Sequence, residues 1–172
     1  TELTYHSPVF PPLYVHRPAY GPVYIWGVPN KFHPNILIEI ERKALFMYHC
    51  SLERMSDKIH TFSKFGDAGH GGITRYALSE EDKMARAEWV KRMTAIGATI
   101  EMDDLANMYA TIPGSDPNAK RIVMGSHCDS VKNGGNYDGI LGVMSAMEVL
   151  ETVVAENIPH KHPLTAMIFT NE

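Results

Sequence analysis

The residues best suited to chemistry lie in one short segment of this sequence. His127 and Asp129 stand in GSHCDS, at the end of the apolar run 121–126, and Asp138 follows a glycine-rich gap in GGNYDG. Imidazole and carboxylate groups are ligands that Zn²⁺ and Mn²⁺ accept in proteins. Because open α/β sheets bind ligands at the carboxyl ends of their strands, we interpret the segment as a candidate metal site.

A surface turn is the alternative interpretation of the same residues. Glycine, asparagine and aspartate are frequent in turns for conformational reasons alone, and their side chains there are commonly solvated. Residue types alone therefore leave both interpretations open. The surrounding sequence favours the metal site.

That surrounding sequence resembles a known family. The strings GSHCDSV, NGGNYDGILGV and IFTNE are similar to the amidase/carbamoylase branch of the two-metal aminopeptidase-like hydrolases. The branch includes N-carbamoyl-amino-acid hydrolases, β-ureidopropionase and allantoate amidohydrolase. GGITRYALSEED and IGATIEMDDLANMYATIPG resemble earlier segments of the branch, in the same order. The resemblance runs from about Leu52 to Glu172, roughly two thirds of the chain.

The resemblance implies a role for four residues. His127 would be a ligand of one metal ion, and Asp138 would be the carboxylate that bridges two. Asp129 would orient the imidazole of His127, and Glu172 would be the general base. The family takes a second glutamate and further histidine ligands from later sequence, so His127 and Asp138 alone represent its ligand set here. The substrate-binding residues stay unknown.

The implied function is metal-dependent hydrolysis of a linear, non-peptide C–N bond in an N-carbamoyl amino acid or a ureide. The resemblance implies two divalent ions, Zn or Mn, as cofactors of the full-length family. This chain alone could be without a bound ion. Since two ligands do not hold a pair of ions, we expect the chain alone to be inactive. It would then be an N-terminal fragment of a working enzyme, or an inactive, truncated homologue that serves as a structural or interaction subunit of a larger complex.

The resemblance also implies an α/β fold, the N-terminal part of a three-layer aminopeptidase-like (phosphorylase/hydrolase-like) catalytic domain with an incomplete sheet. The pattern of apolar residues itself predicts these elements. We expect a helix over about 35–65 that can break near Cys50-Ser51, a helix from Ser79 to about Ile96, two strands joined through 104–107, a buried strand over 121–126, a helix from 140 to about 156 and a central strand over 164–170.

Residues 1–34 differ in composition from the rest of the chain. They hold seven of the eleven prolines and seven aromatic residues, which disfavours long helices and a freely solvated tail. We expect an irregular, extended arm over 1–34, followed by a partial catalytic domain over 35–172. The arm would lie on its own domain or on a partner subunit, and a loosely packed leader without a role is the alternative. A homodimer is implied for the full-length family.

Composition narrows the partners and the compartment. A net charge of -4 with interspersed signs gives no reason to expect nucleic acid or an anionic membrane, and no apolar run is long enough to span a bilayer. Two isolated cysteines favour a reducing, intracellular location, the cytoplasm first and an organelle as the alternative. We interpret Cys128 as a small buried apolar residue in preference to a nucleophile.

His70 in the glycine loop 66–72, and Arg75 just after it, are further candidates for the active site. The resemblance places this loop close to the active site. We expect His70 to be exposed without a role. For Arg75 a surface position is the first expectation, and binding of a carboxylate is the alternative.

Overall fold

The structure is a computed structural model that describes residues 13–15, 23–25 and 48–171. The chain divides into two compact units, Thr1–Met47 and Tyr48–Glu172. In the first unit, strands β1 (Leu13–Val15) and β2 (Val23–Ile25) form an antiparallel pair. The predicted helix before residue 48, the predicted boundary between 34 and 35 and the rest of the proposed arm lie outside the described residues.

The second unit is built on a four-stranded mixed sheet. Its strands are β3 (Thr99–Met102), β4 (Met108–Ile112), β5 (Ile122–His127) and β6 (Leu164–Phe169), in the order β3-β4-β6-β5. The pairs β3/β4 and β4/β6 are antiparallel, whereas β5 and β6 are parallel. The carboxyl ends of β5 and β6 therefore lie side by side, with His127 opposite Phe169.

Three helices accompany the sheet. They are α1 (Leu52–Phe62), α2 (Glu80–Ala95) and α3 (Ile140–Ala155). Helix α2 packs on β3 and β4, α3 packs on β5 and β6, and α1 packs on α3. The buried core includes alternate residues of β4 together with helix and β6 side chains: Met108, Ala110, Ile112, Ala85, Trp89, Met93, Val143, Met147, Leu150, Ala166 and Ile168. Burial of each large side chain contributes roughly 1.5–3 kcal/mol.

Local sequence signals placed the helices correctly. The Ser79 hydroxyl accepts a hydrogen bond from the Asp82 N–H at 3.3 Å and so caps α2. The Ser51 hydroxyl accepts from the Arg54 N–H at 3.1 Å and caps α1, so a helix begins next to the predicted break at Cys50-Ser51. Helix α1 ends at Phe62, three residues earlier than predicted. Leu52, the first residue of the helix, is exposed.

Strand β5 corrects another expectation. The run 121–126 was predicted to be buried, but Ile122 and Val123 are 48% and 46% exposed. The reason is the strand order, since β5 pairs with β6 on one side and, within the described part of the chain, no strand pairs with its other edge. An apolar run shows that a strand forms here, but does not show how many neighbours the strand has. The central position predicted for β6 is confirmed.

A buried ionic cluster joins α1 to α3, and the sequence analysis missed it. Glu148 accepts hydrogen bonds from Lys58 Nζ at 2.8 Å, from Arg54 Nη2 at 2.7 Å and from the Ser51 N–H at 2.6 Å. Lys58 also pairs with Glu151. Burial opposes ionisation of Glu148, but these hydrogen bonds outweigh it and lower its pKa from 4.5 to about 2. The charges fix α1 against α3.

The structure also bears on the predicted absence of a membrane span. Among the helices within the described ranges, none combines the length and the apolar character needed to cross a bilayer.

Candidate functional site

The candidate site lies where β5 ends and α3 begins. His127 is the last residue of β5, and Gly139 is the residue before the first turn of α3. The imidazole of His127 packs directly on Gly139, where an added Cβ would lie 2.2 Å from Nε2. Asp138 immediately precedes this glycine, and its side chain is exposed. The structure therefore brings the His127 imidazole against the residue that follows Asp138.

A hydrogen bond fixes the tautomer of His127. Its Nδ1 lies 3.1 Å from the main-chain oxygen of Asp129 and 3.8 Å from the carboxylate Oδ1 of the same residue. Because a carbonyl oxygen only accepts, the neutral imidazole that fits this contact carries its proton on Nδ1 and its lone pair on Nε2. In that tautomer the nitrogen with the lone pair faces Gly139, the residue after Asp138. That nitrogen is the atom through which a neutral imidazole binds a metal ion.

Asp129 is buried behind this imidazole. Its Oδ1 has no hydrogen-bond partner among the residues that the structure describes. A buried carboxylate oxygen without a partner is unfavourable by about 1–3 kcal/mol, more when it is charged. The positive charge of a metal ion bound by His127 would offset that penalty. The environment of Asp129 therefore suits a carboxylate that lies behind a metal-binding histidine.

Arg75 corrects the expectation of a surface residue. Its side chain is buried, and its guanidinium donates to three main-chain oxygens: Cys128 at 2.7 Å, Phe65 at 2.7 Å and Phe62 at 3.0 Å. These carbonyls come from the end of α1 and from the residue after β5. The interior here is lined with backbone carbonyl oxygens, which a five-donor guanidinium can satisfy. The alternative role, binding of a carboxylate, finds no support in these contacts.

The glycine loop that precedes Arg75 is held against the candidate site. Ile73 and Gly134 exchange two main-chain hydrogen bonds, of 3.0 and 2.7 Å, and the Ser130 hydroxyl donates to the Ile73 oxygen at 3.0 Å. This pairing confirms that the loop lies beside the segment 128–134. His70 is exposed, as predicted.

Cys128 lies between the two predicted site residues but is unsuited to nucleophilic chemistry. It is completely buried, and burial raises the pKa of its thiol to about 12. A thiol with that pKa is protonated at neutral pH, and the thiolate is the reactive form. The interpretation of Cys128 as a small buried residue is confirmed.

A second polar network, also missed from the sequence, holds the end of β6. Arg86 donates to Asp82 at 2.7 Å, to the Ala106 oxygen at 2.7 Å and to the Thr170 hydroxyl at 3.1 Å. The Thr170 N–H donates to the Asn107 side chain at 2.9 Å. The four-residue spacing of Asp82 and Arg86 on one helix was the available signal. Glu172, the predicted general base, follows this network but lies outside the described residues.

The described residues fit part of a metal site. His127 and Asp138 offer the nitrogen and oxygen donors that Zn²⁺ and Mn²⁺ accept, and the His127 ring packs on Gly139, the residue after Asp138. Over residues 48–171, however, no group of three or more histidine, cysteine, aspartate or glutamate side chains is arranged to hold an ion. The fit is thus that of two members of a larger ligand set.

Comparison with known proteins places these features in a wider context. Residues 107–172 match the model of Peptidase family M28. The chain is 32% identical over 125 residues to the N-carbamoyl-L-amino-acid amidohydrolase of Pseudomonas sp. (strain NS671), a match that covers 71% of this chain and 30% of that protein. It is 31% identical over 119 residues to the ureidoglycolate hydrolase of Arabidopsis thaliana, which covers 69% of this chain and 25% of that one.

A solved structure shows the same relationship. An amidase of the hydantoinase/carbamoylase family from Burkholderia multivorans matches with a TM-score of 0.71 and 32% identity, covering 73% of this chain and 30% of that one. The predicted fold class, an incomplete aminopeptidase-like α/β domain, is confirmed. The chain spans less than a third of the length of the relatives it matches.

Proposed function

Because the chain is homologous to the amino-terminal part of the amidase/carbamoylase branch of the aminopeptidase-like hydrolases, we propose that it contributes to a metal-dependent amidohydrolase. The reaction is hydrolysis of a linear, non-peptide C–N bond. The observation that carries the proposal is the packing of the Nε2 edge of the His127 imidazole on Gly139, the residue that follows Asp138.

Each candidate residue has a role in this proposal. His127 and Asp138 would be two of the ligands that hold divalent ions, Zn²⁺ or Mn²⁺. When bound, such ions lower the pKa of a shared water from ~15.7 towards neutrality and polarise the carbonyl of the substrate. Asp129 orients the His127 imidazole through the contact of its main-chain oxygen with Nδ1. Glu172 takes a proton from the attacking water and passes it to the leaving nitrogen.

The names of the relatives support the substrate class. One relative acts on N-carbamoyl-L-amino acids and another on ureidoglycolate, and both compounds present a urea-like carbonyl bonded to nitrogen. A small molecule of this type is the proposed substrate.

For the 172-residue chain by itself we propose no hydrolytic activity, since His127 and Asp138 are two ligands where a pair of ions needs several. The same shortage of ligands supports the alternative of an inactive structural or interaction subunit. The mass of the native protein distinguishes the enzyme from the subunit. A native polypeptide with a mass well above 19.3 kDa supports the enzyme, and one of 19.3 kDa supports the subunit.

A hybrid enzyme tests the proposed chemistry. Residues 48–172 replace the matching amino-terminal segment of the Pseudomonas sp. relative, and ammonia release from N-carbamoyl-L-amino acids is measured with added Mn²⁺ or Zn²⁺. The hybrid should hydrolyse these substrates. His127→Ala and Asp138→Asn should each lower kcat/KM by about 100-fold or more, since loss of a supporting residue alone costs 10–100-fold.

Asp116→Asn is the matched control. Asp116 lies in the turn before β5, at the opposite end of that strand from His127, and should leave the activity of the hybrid unchanged. A folded hybrid that retains activity after Asp138→Asn would contradict the proposed role of that residue. A folded hybrid that hydrolyses none of these substrates would contradict the proposed function.

A further inference from the structure

Arg75 is a buried cation whose partners are unusual. Its side chain is 2% exposed, and within the part of the chain that the structure describes it forms no ion pair with a carboxylate. A buried charge is strongly unfavourable unless hydrogen bonds compensate it. Here the compensation comes from three main-chain carbonyls, so the position of the guanidinium and the positions of those carbonyls depend on one another.

One of these carbonyls belongs to Phe62, the last residue of helix α1, and another to Phe65, in the turn that follows it. The oxygens of Phe62 and Phe65 accept from Nη1 at 3.0 and 2.7 Å. The last carbonyls of a helix have no partner within the helix and carry a partial negative charge, which favours a cation. The guanidinium is therefore held at a rigid point of the fold.

The third carbonyl ties that rigid point to the candidate site. Nε of Arg75 donates to the oxygen of Cys128 at 2.7 Å. The main chain of Arg75 adds two hydrogen bonds to Ser130: its N–H donates to the Ser130 hydroxyl at 2.9 Å, and its oxygen accepts from the Ser130 N–H at 2.7 Å. Residue 129 is thus fixed from both sides.

The main-chain oxygen of Asp129 is the group that holds the Nδ1 proton of His127. We propose that Arg75 is a positioning residue: by fixing the backbone of 128–130, it sets the Nδ1–H tautomer of His127 and holds Nε2 against Gly139, the residue after Asp138. The importance of this tautomer for a metal ion rests on the proposed function. The tautomer itself, and its dependence on Arg75, do not.

The test measures the tautomer in the 172-residue chain without metal. A ¹⁵N-labelled sample at pH 8.5, well above the ordinary imidazole pKa of ~6.5, gives long-range ¹H–¹⁵N correlations that distinguish the protonated ring nitrogen. For His127 we expect a single Nδ1–H form in the unaltered chain. Arg75→Met should give exchange-averaged nitrogen shifts, which report a mixture of tautomers.

Arg75→Lys and Arg121→Met make the result specific. Lysine can reach the α1 carbonyls or Cys128 but cannot bridge them with a fixed fork, so Arg75→Lys should only partly restore the single tautomer. Arg121 immediately precedes β5 and is half-exposed, and Arg121→Met should leave His127 unchanged. Unchanged His127 nitrogen shifts in a folded Arg75→Met chain would overturn the proposal, and so would an equal change in Arg121→Met.

A milder variant covers the case in which Arg75→Met does not fold. Ser130→Ala removes the side-chain partner of the Arg75 N–H and should shift the His127 nitrogens in the same direction, and unchanged shifts would overturn the proposal. In the hybrid enzyme, Arg75→Lys should weaken metal affinity by about 10–100-fold with KM nearly unchanged. An inactive hybrid would count against the proposed function while the tautomer result stands.

Discussion

Glu148 offers a quantitative test of how helices α1 and α3 are held together. The perturbation is Glu148→Gln, which keeps the shape of the side chain and removes its charge. Hydrogen bonds from Arg54, Lys58 and the Ser51 N–H overcome the effect of burial and lower the pKa of Glu148 from 4.5 to about 2. A pKa lower by about 2.5 corresponds to roughly 3 kcal/mol of stability at neutral pH. Since the Arg54 side chain is 39% exposed, solvent screening reduces this to about 2 kcal/mol.

The sign of the pH dependence follows from the direction of the pKa. A carboxylate with a lower pKa in the folded state contributes its full stabilisation above the unfolded value of 4.5, and loses it as pH falls towards 2. About 40% of the contribution should be gone by pH 3.5. The difference in unfolding free energy between the unaltered chain and Glu148→Gln should therefore be smaller at pH 3.5 than at pH 7.

Urea unfolding of both proteins at the two pH values measures this difference. Glu80→Gln is the matched control, because Glu80 pairs with Lys83 at 3.4 Å in an exposed position and should affect stability far less. An equal difference for Glu148→Gln at pH 7 and pH 3.5 would refute the assigned pKa. A loss no larger than that of Glu80→Gln would refute the structural role of the cluster.

Two further predictions concern the site itself. Gly139→Ala should lower the unfolding free energy by about 2 kcal/mol more than Gly69→Ala does. Both glycines have a positive φ, but only at position 139 would the new Cβ collide with the His127 ring. Equal losses of unfolding free energy in urea would contradict the packing of His127 on Gly139. Iodoacetamide should alkylate the exposed Cys50 but not Cys128 in the folded chain, because burial raises the pKa of the Cys128 thiol to about 12. Equal alkylation rates of the two cysteines, measured by mass spectrometry, would contradict the burial of Cys128.

The sequence was most informative where the deciding signal is local. The serine cap of α2, with Trp89 and Met93 on its inward face, could be located because capping and helical spacing act within one or two turns. The apolar run that forms β6 was long enough, and free enough of charge, to indicate a central strand. The resemblance of the motifs added the fold class, which composition alone does not give.

The features that were missed depend on contacts that the local sequence does not display. The ionic cluster of Glu148 was missed because its partners Arg54 and Lys58 are 94 and 90 residues distant. Arg75 was expected at the surface because its acceptors are main-chain oxygens, which leave no mark in a sequence. The exposed edge of β5 depends on strand order. The roles of the four site residues stay predictions.

The central claim is that His127 and Asp138 belong to one metal-binding site, and paramagnetic broadening by Mn²⁺ tests it most directly. Two ligands suffice for weak, rapidly exchanging contact with an ion, though not for stable binding of a pair. In the ¹⁵N-labelled 172-residue chain, a small fraction of an equivalent of Mn²⁺ should therefore broaden the amide signals of both residues first, and Asp138→Asn should weaken the broadening at His127. Broadening confined to the acidic first turn of α2, at Glu80 and Glu81, with His127 and Asp138 unaffected, would contradict the claim.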